Sequence, residues 1–202
     1  KKVYSRTCFF YKLHIVLVIF KLRHICVFSI KKLMQLKKNL VIIGMMGSGK
    51  STIGLILANK LNIDFIDIDS ELEEQEGKKI SKIFEEKGEK YFRKIEEEIS
   101  IKNLNLSKKI ISLGGGGFIN DNIQKKVLKE NISIFLNWKD TTLMERIENS
   151  KKRPLAIKSN NKELRELITF RSKIYKKANH IINCENLSKN EIVDTIIKIC
   201  EK

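Results

Sequence analysis

The sequence predicts an α/β protein, one sheet of five parallel strands with helices on both of its faces. Three observations predict it. From Asn39 onward, short apolar runs alternate with longer charged stretches of helical periodicity, the pattern of repeated strand–helix–strand units. The first apolar run ends in a glycine-rich loop that opens directly into a helix. The third ends in four consecutive glycines at 114–117, out of ten in the whole chain, which marks a place where backbone must approach something closely.

The strands are expected at 40–43, 63–68, 109–113, 132–137 and 180–184. Buried on both faces, such strands read as near-continuous apolar runs. Between them, helix 50–61 starts where the first loop ends, helix 70–76 is stopped by Gly77, and helix 80–87 by Gly88. In helix 89–103, Phe92, Ile95 and Ile99 stand at i, i+3 and i+7 and so face the core. Helices at 141–149, 162–177 and 188–200 complete the set.

The 202 residues carry 40 Lys and Arg against 24 Asp and Glu, a net charge of +16. That balance suggests an anionic partner, but its distribution argues otherwise. Residues 1–38 hold ten basic side chains and no acid, which leaves 30 against 24, or +6, for residues 39–202. The segment 1–38 therefore reads as a separate basic leader, expected to be disordered or an upstream extension. Its longest apolar run, residues 15–20, falls far short of the roughly 20 residues of a membrane span. No secretory cleavage site follows it. A basic, acid-free segment resembles an organelle transit peptide, but Ile, Val and Phe are unusually frequent here, and the favoured expectation is a natural start at Met34. The cysteines at 8, 26, 184 and 200 form no CxxC pair, and His14, His24 and His180 stand at no metal-ligand spacing. A reducing, cytoplasmic compartment is expected.

The stretch GMMGSGKST at 44–52 fills every fixed position of GxxxxGK[ST] between a strand and a helix. Its glycines let successive N–H groups turn inward at a helix N-terminus, so Gly44, Gly47, Ser48, Gly49 and Thr52 would wrap the phosphates of a nucleoside triphosphate. Lys50 would reach the β- and γ-phosphates and Ser51 would offer its hydroxyl to Mg²⁺. In FIDIDS, Asp67 and Asp69 are two apart and would share one face of a strand at the carboxyl edge of the sheet. One carboxylate could hold Mg²⁺ through water and the other accept a hydroxyl proton; helix capping, above all by Ser70, is the competing use. The glycine run would let backbone touch a small polyhydroxyl or carboxylate acceptor. Arg93 and Arg171 suit an anionic one.

These residues resemble the shikimate kinase family over nearly all of 39–202. GMMGSGKST, DIDSELEE, IFEEKGEKYFRKIEEE, SLGGGGF and RPL occur in that family's order and close to its spacing. The resemblance implies a three-layer α/β/α P-loop kinase of strand order 2-3-1-4-5, with a lid at about 150–161, that phosphorylates the 3-hydroxyl of shikimate with MgATP. It implies that Asp69 contacts the acceptor hydroxyl, Arg93 and Arg171 its carboxylate, and Gly115 with Gly116 its ring. Lys50, Ser51 and Asp67 would serve phosphate and Mg²⁺, Asp67 through water. Arg153 in RPL would close over ATP as a catalytic arginine, and Arg146 would stack on adenine. Three features depart from the family: a fourth glycine at 117, Lys94 where a second arginine is frequent, and the leader. The partners implied are ATP and shikimate, with no nucleic acid and no membrane, for a monomer in the cytoplasm. Another small-molecule kinase such as a gluconate kinase, or a non-catalytic nucleotide-binding protein, is the alternative.

Overall fold

The computed structural model describes residues 38–148 and 161–201. The leader at 1–38, but for Lys38, and the lid at 150–161, but for Asn161, lie outside the described residues, and Arg153 with them. In chain order the elements are β1 (Leu40–Ile43), α1 (Lys50–Leu61), β2 (Phe65–Asp67), α2 (Ile68–Glu76), α3 (Ile80–Leu104), β3 (Ile110–Ser112), a 3₁₀ turn (Gly117–Ile119), α4 (Asp121–Glu130), β4 (Ile132–Asn137), α5 (Asp140–Glu148), α6 (Asn161–Tyr175), β5 (His180–Asn183) and α7 (Lys189–Cys200).

The sheet order is β2-β3-β1-β4-β5, and every neighbouring pair is parallel. All four residues of β1 are buried, as a central strand covered on both faces requires. Its side chains alternate between two cores. Val41 and Ile43 join Ile111, Leu113 and Phe135 under helices α2 to α6, whereas Leu40 and Ile42 join Ile110, Ile134 and Leu136 under α1 and α7. Because β1 has β3 on one side and β4 on the other, its carboxyl end is the point where chain connections diverge. A crevice opens there.

Four expectations change. Strand β2 ends at Asp67, because Ile68 already belongs to α2, so Asp67 and Asp69 do not share a strand face. The segments 80–87 and 89–103 form one kinked helix, in which Gly88 alone leaves helical geometry, at φ 78° and ψ 171°; only glycine takes that conformation without strain. Helix α4 was not expected. Its signals are the Asn120 side chain, which accepts from the N–H groups of Asn122 and Ile123, and the buried i, i+4 pair Ile123 and Val127. Fourth, β5 stops at Asn183 and α6 at Tyr175, one and two residues short.

One glycine outside the loops is a packing device. A Cβ at Gly54, in the middle of α1, would lie 2.3 Å from the Phe65 ring. Alanine is otherwise the better helix former by about 1 kcal/mol, but overpacking costs about 1–3 kcal/mol and should win. Gly54→Ala is expected to lower the melting temperature by several degrees, at roughly 2–4 °C per kcal/mol for a chain of this size. An unchanged or raised melting temperature would mean that Phe65 yields freely.

Candidate active site

The loop after β1 is held open by its own geometry. Gly47 and Gly49 have φ of 81° and 86°, and Gly49 caps α1 from the left-handed region. The Ser48 N–H donates to Met45 O at 3.1 Å, which folds the loop on itself. Lys50 is 9% exposed, and its Nζ donates to the carbonyls of Gly44 at 2.9 Å and Met45 at 3.1 Å. The ammonium is thus parked across the loop mouth. The Ser48 hydroxyl is buried without a hydrogen-bond partner. A cavity of about 160 Å³ lies at the loop, lined by Met46, Gly47, Gly49, Lys50, Ser51, Thr52, Asp69, Ser112 and Gly115. Loop, Asp69 and glycine run therefore meet at one crevice, above the carboxyl ends of β1 and β3.

Asp67 and Asp69 have different work. Asp67 is the N-cap of α2, its Oδ1 accepting from the Ser70 N–H at 3.3 Å. The capping expected of Ser70 falls to Asp67 because the helix begins two residues earlier. Asp69 sits in the first turn of α2 and lines the cavity.

The glycine run makes room for the protein's own charged side chains as much as for a ligand. A Cβ at Gly114 would lie 2.5 Å from both Asp69 Oδ1 and Glu96 Oε1, and one at Gly116 would lie 2.3 Å from Arg93 Nη1. At Gly117 the closest approach would be an ordinary 3.6 Å, so the fourth glycine is not demanded by contact. Gly114→Ala should therefore keep the fold but push the Asp69 or Glu96 carboxylate aside. Turnover is expected to fall with little change in melting temperature, measured by steady-state kinetics beside a thermal melt.

Around the run lies a partly buried charge cluster. Arg93 donates from Nη1 to Glu96 Oε2 at 2.7 Å, and from Nε and Nη2 to Glu89 Oε1 at 3.2 Å. Burial acts to lower the Arg93 pKa, but the Glu96 and Glu89 carboxylates outweigh it and the net shift is upward. Glu96 is 2% exposed; burial pushes its carboxyl above the ordinary range, against the opposing pull of Arg93 and Arg171. Arg171 is buried, its Nη1 donating to Gly115 O at 3.1 Å, and burial lowers its pKa. Its Nε has no hydrogen-bond partner. Leaving a buried guanidinium N–H unpaired is costly, and the unused donor is available to an acceptor group. The Tyr175 hydroxyl also donates to Gly115 O, and burial pushes its pKa up to about 12.

Arg146 lies apart from this cluster, on α5, with its guanidinium 3.7 Å from the Trp138 ring centroid. Among the described residues, then, Lys50, Ser51, Thr52, Asp69 and Gly115 line one cavity, with Arg93, Gly116 and Arg171 beside it. Sequence reasoning missed Glu96, Tyr175 and Trp138. Glu96 carried a signal, since an acid at i+4 from Phe92 and next to Ile95 interrupts the buried stripe of α3. Tyr175, four residues after Arg171, shares its helix face. Trp138 carried none beyond being the chain's single tryptophan.

A shikimate kinase family model matches residues 46–201. The chain is 44% identical over 164 residues to a shikimate kinase of Persephonella marina, covering 79% of this chain and 97% of that protein. Among solved structures it is similar to a shikimate kinase from Acinetobacter baumannii in complex with shikimate, with a TM-score of 0.76 and 27% identity over 82% of this chain and 93% of that one. A shikimate kinase from Aquifex aeolicus gives a TM-score of 0.72 at 36% identity, over 79% and 94% of the two chains.

Proposed function

The chain belongs to the shikimate kinase family, and from that premise we propose that it transfers the γ-phosphoryl group of ATP to the 3-hydroxyl of shikimate. One observation carries the reading. A phosphate-binding loop, the Asp69 carboxylate and Gly115 line one crevice, and a buried arginine with an unsatisfied N–H is bonded to the carbonyl of that same Gly115. That is what joining a triphosphate to a small hydroxy acid requires.

In this reading the loop N–H groups cradle the phosphates, and Lys50 exchanges two backbone carbonyls for phosphate oxygens. Arg171 and Arg93 bind the acceptor carboxylate by charge-assisted hydrogen bonds, Arg93 being held ready by Glu89 and Glu96. Gly115 and Gly116 lie against the ring. Asp69 orients the attacking hydroxyl and accepts its proton as the bond to phosphorus forms and ADP leaves. Arg153 is assigned the lid role on its RPL context alone. Ser51 and Asp67 are oxygen donors suited to Mg²⁺, which would neutralise charge on the phosphates. No group of three or more His, Cys, Asp or Glu among the described residues could hold a metal. A magnesium ion that keeps its waters and binds phosphate oxygens does not need one.

Residues 39–202 are taken as the kinase domain, acting as a monomer in the cytoplasm; no helix among the described residues is long and apolar enough to cross a membrane. The decisive experiment is a coupled assay of ADP release with shikimate, quinate, gluconate and nucleoside monophosphates as acceptors. Shikimate-dependent, Mg²⁺-dependent release supports the reading. Turnover of gluconate or a nucleotide in preference to shikimate would overturn it.

A further inference from the structure

Trp138 lies just past β4 and touches two parts of the site. Its indole N–H donates to the carbonyl of Ser48 in the phosphate loop at 3.0 Å, and its ring carries the Arg146 guanidinium at 3.7 Å from the centroid. Trp138 also packs against both hydrophobic cores, so it is fixed from below. Arg146 is exposed, which an arginine normally spends on rotamer freedom. The ring removes that freedom. The root of Arg146 is fixed too: a Cβ at Gly47 would lie 3.6 Å from Arg146 Cβ and 3.3 Å from Ile147 Cγ1, so α5 rests directly on the loop.

We propose that Trp138 is a positioning residue for the nucleobase: it holds the Arg146 guanidinium flat and in register with the phosphate loop, so that an adenine ring stacks on the opposite face of Arg146. A planar guanidinium has two faces, and Trp138 takes one. The charge of Arg146 is also felt by Cys184 and Glu185, at the start of the segment after β5. That segment is fixed in turn, because Glu185 accepts from the Lys139 N–H at 3.0 Å and the Thr142 hydroxyl at 2.6 Å. The Arg146 guanidinium thus has a rigid backing in Trp138, against whose far side a flat ring can stack. The inference rests on the reading that this site takes ATP.

Because the chain has one tryptophan, the wild-type protein reports on this backing directly. ADP, with no acceptor present, should change Trp138 emission, and inorganic tripolyphosphate, which has phosphates but no base, should change it much less. Trp138→Leu should raise the KM for ATP by about 3- to 30-fold, the range expected from losing a cation–π contact, with kcat at saturating ATP changed by less than about twofold. Inhibition by tripolyphosphate should stay as in the wild type. Trp138→Phe keeps a ring under Arg146 and should restore most of the affinity, and in an Arg146→Ala background Trp138→Leu should add nothing. Equal weakening of ATP and tripolyphosphate would overturn the proposal, since Trp138 would then act through Ser48 on the loop alone. An emission change equal for ADP and tripolyphosphate would overturn it too, and that result does not depend on any variant folding. Tight ADP binding without shikimate turnover would strike the proposed function and leave this inference standing.

Discussion

Asp69→Asn is expected to lower kcat by about 10²- to 10⁴-fold, the usual consequence of losing a positioned proton acceptor, while the affinity for ATP stays within about twofold. Asparagine has the same shape and can still fill the space beside Gly114, where a Cβ would come within 2.5 Å of Asp69 Oδ1. What it lacks is the negative charge and the capacity to take a proton. Steady-state kinetics with nucleotide binding by calorimetry would check this expectation. Near-normal turnover would show that Asp69 does no more than line the cavity, and a comparable loss of ATP affinity would show that it serves the phosphates.

The second large effect is expected at Arg171. Arg171→Met should raise the KM for shikimate by about 10²-fold, since truncating one partner of a buried, hydrogen-bonded charge pair costs about 2–5 kcal/mol and each 1.4 kcal/mol is tenfold. The KM for ATP should move far less. Arg171→Lys should recover little, because an ammonium keeps the charge but not the planar fork. Stability is not expected to fall in step: Arg171 is 6% exposed with an unpaired Nε, so methionine removes a desolvated cation as well as the bond to Gly115 O. A large drop in melting temperature with equal loss of ATP and shikimate affinity would mean that Arg171 chiefly braces the glycine run.

Both residues were legible in the sequence, but for different reasons. Asp69 followed from chemistry at the end of a strand, yet the geometry behind the inference was mistaken. A period of two would place Asp67 and Asp69 on one strand face, whereas the helix starts at Ile68 and separates them into a cap and a cavity-facing acid. Where a strand gives way to a helix is settled by which N–H groups find an acceptor, and Asp67 supplies one to Ser70. Arg171 was read as suited to an anionic acceptor, but its contact with a carboxylate followed only from resemblance. Its burial beneath the glycine run depends on α6 packing over the same face of the sheet as α3, against the 3₁₀ turn that ends the run, a long-range contact that no local pattern encodes.

The sequence by itself determined the alternation of strands and helices, the phosphate loop and the break at Gly88, because each rests on local requirements: a run of apolar side chains, a spacing of glycines, a positive φ. It also determined that backbone at 114–117 must be approached closely. Only the tertiary structure decided by what. The run is crowded by Asp69, Glu96 and Arg93 from two helices, and Glu96 pairs with Arg93 in a setting whose cost and benefit depend on how far both are buried. The placement of Trp138 between the loop and Arg146 was likewise decided there, since strand β4 reaches the phosphate loop only through its pairing with β1. Charges brought together from distant segments have energies set by burial and separation, and a linear sequence fixes neither.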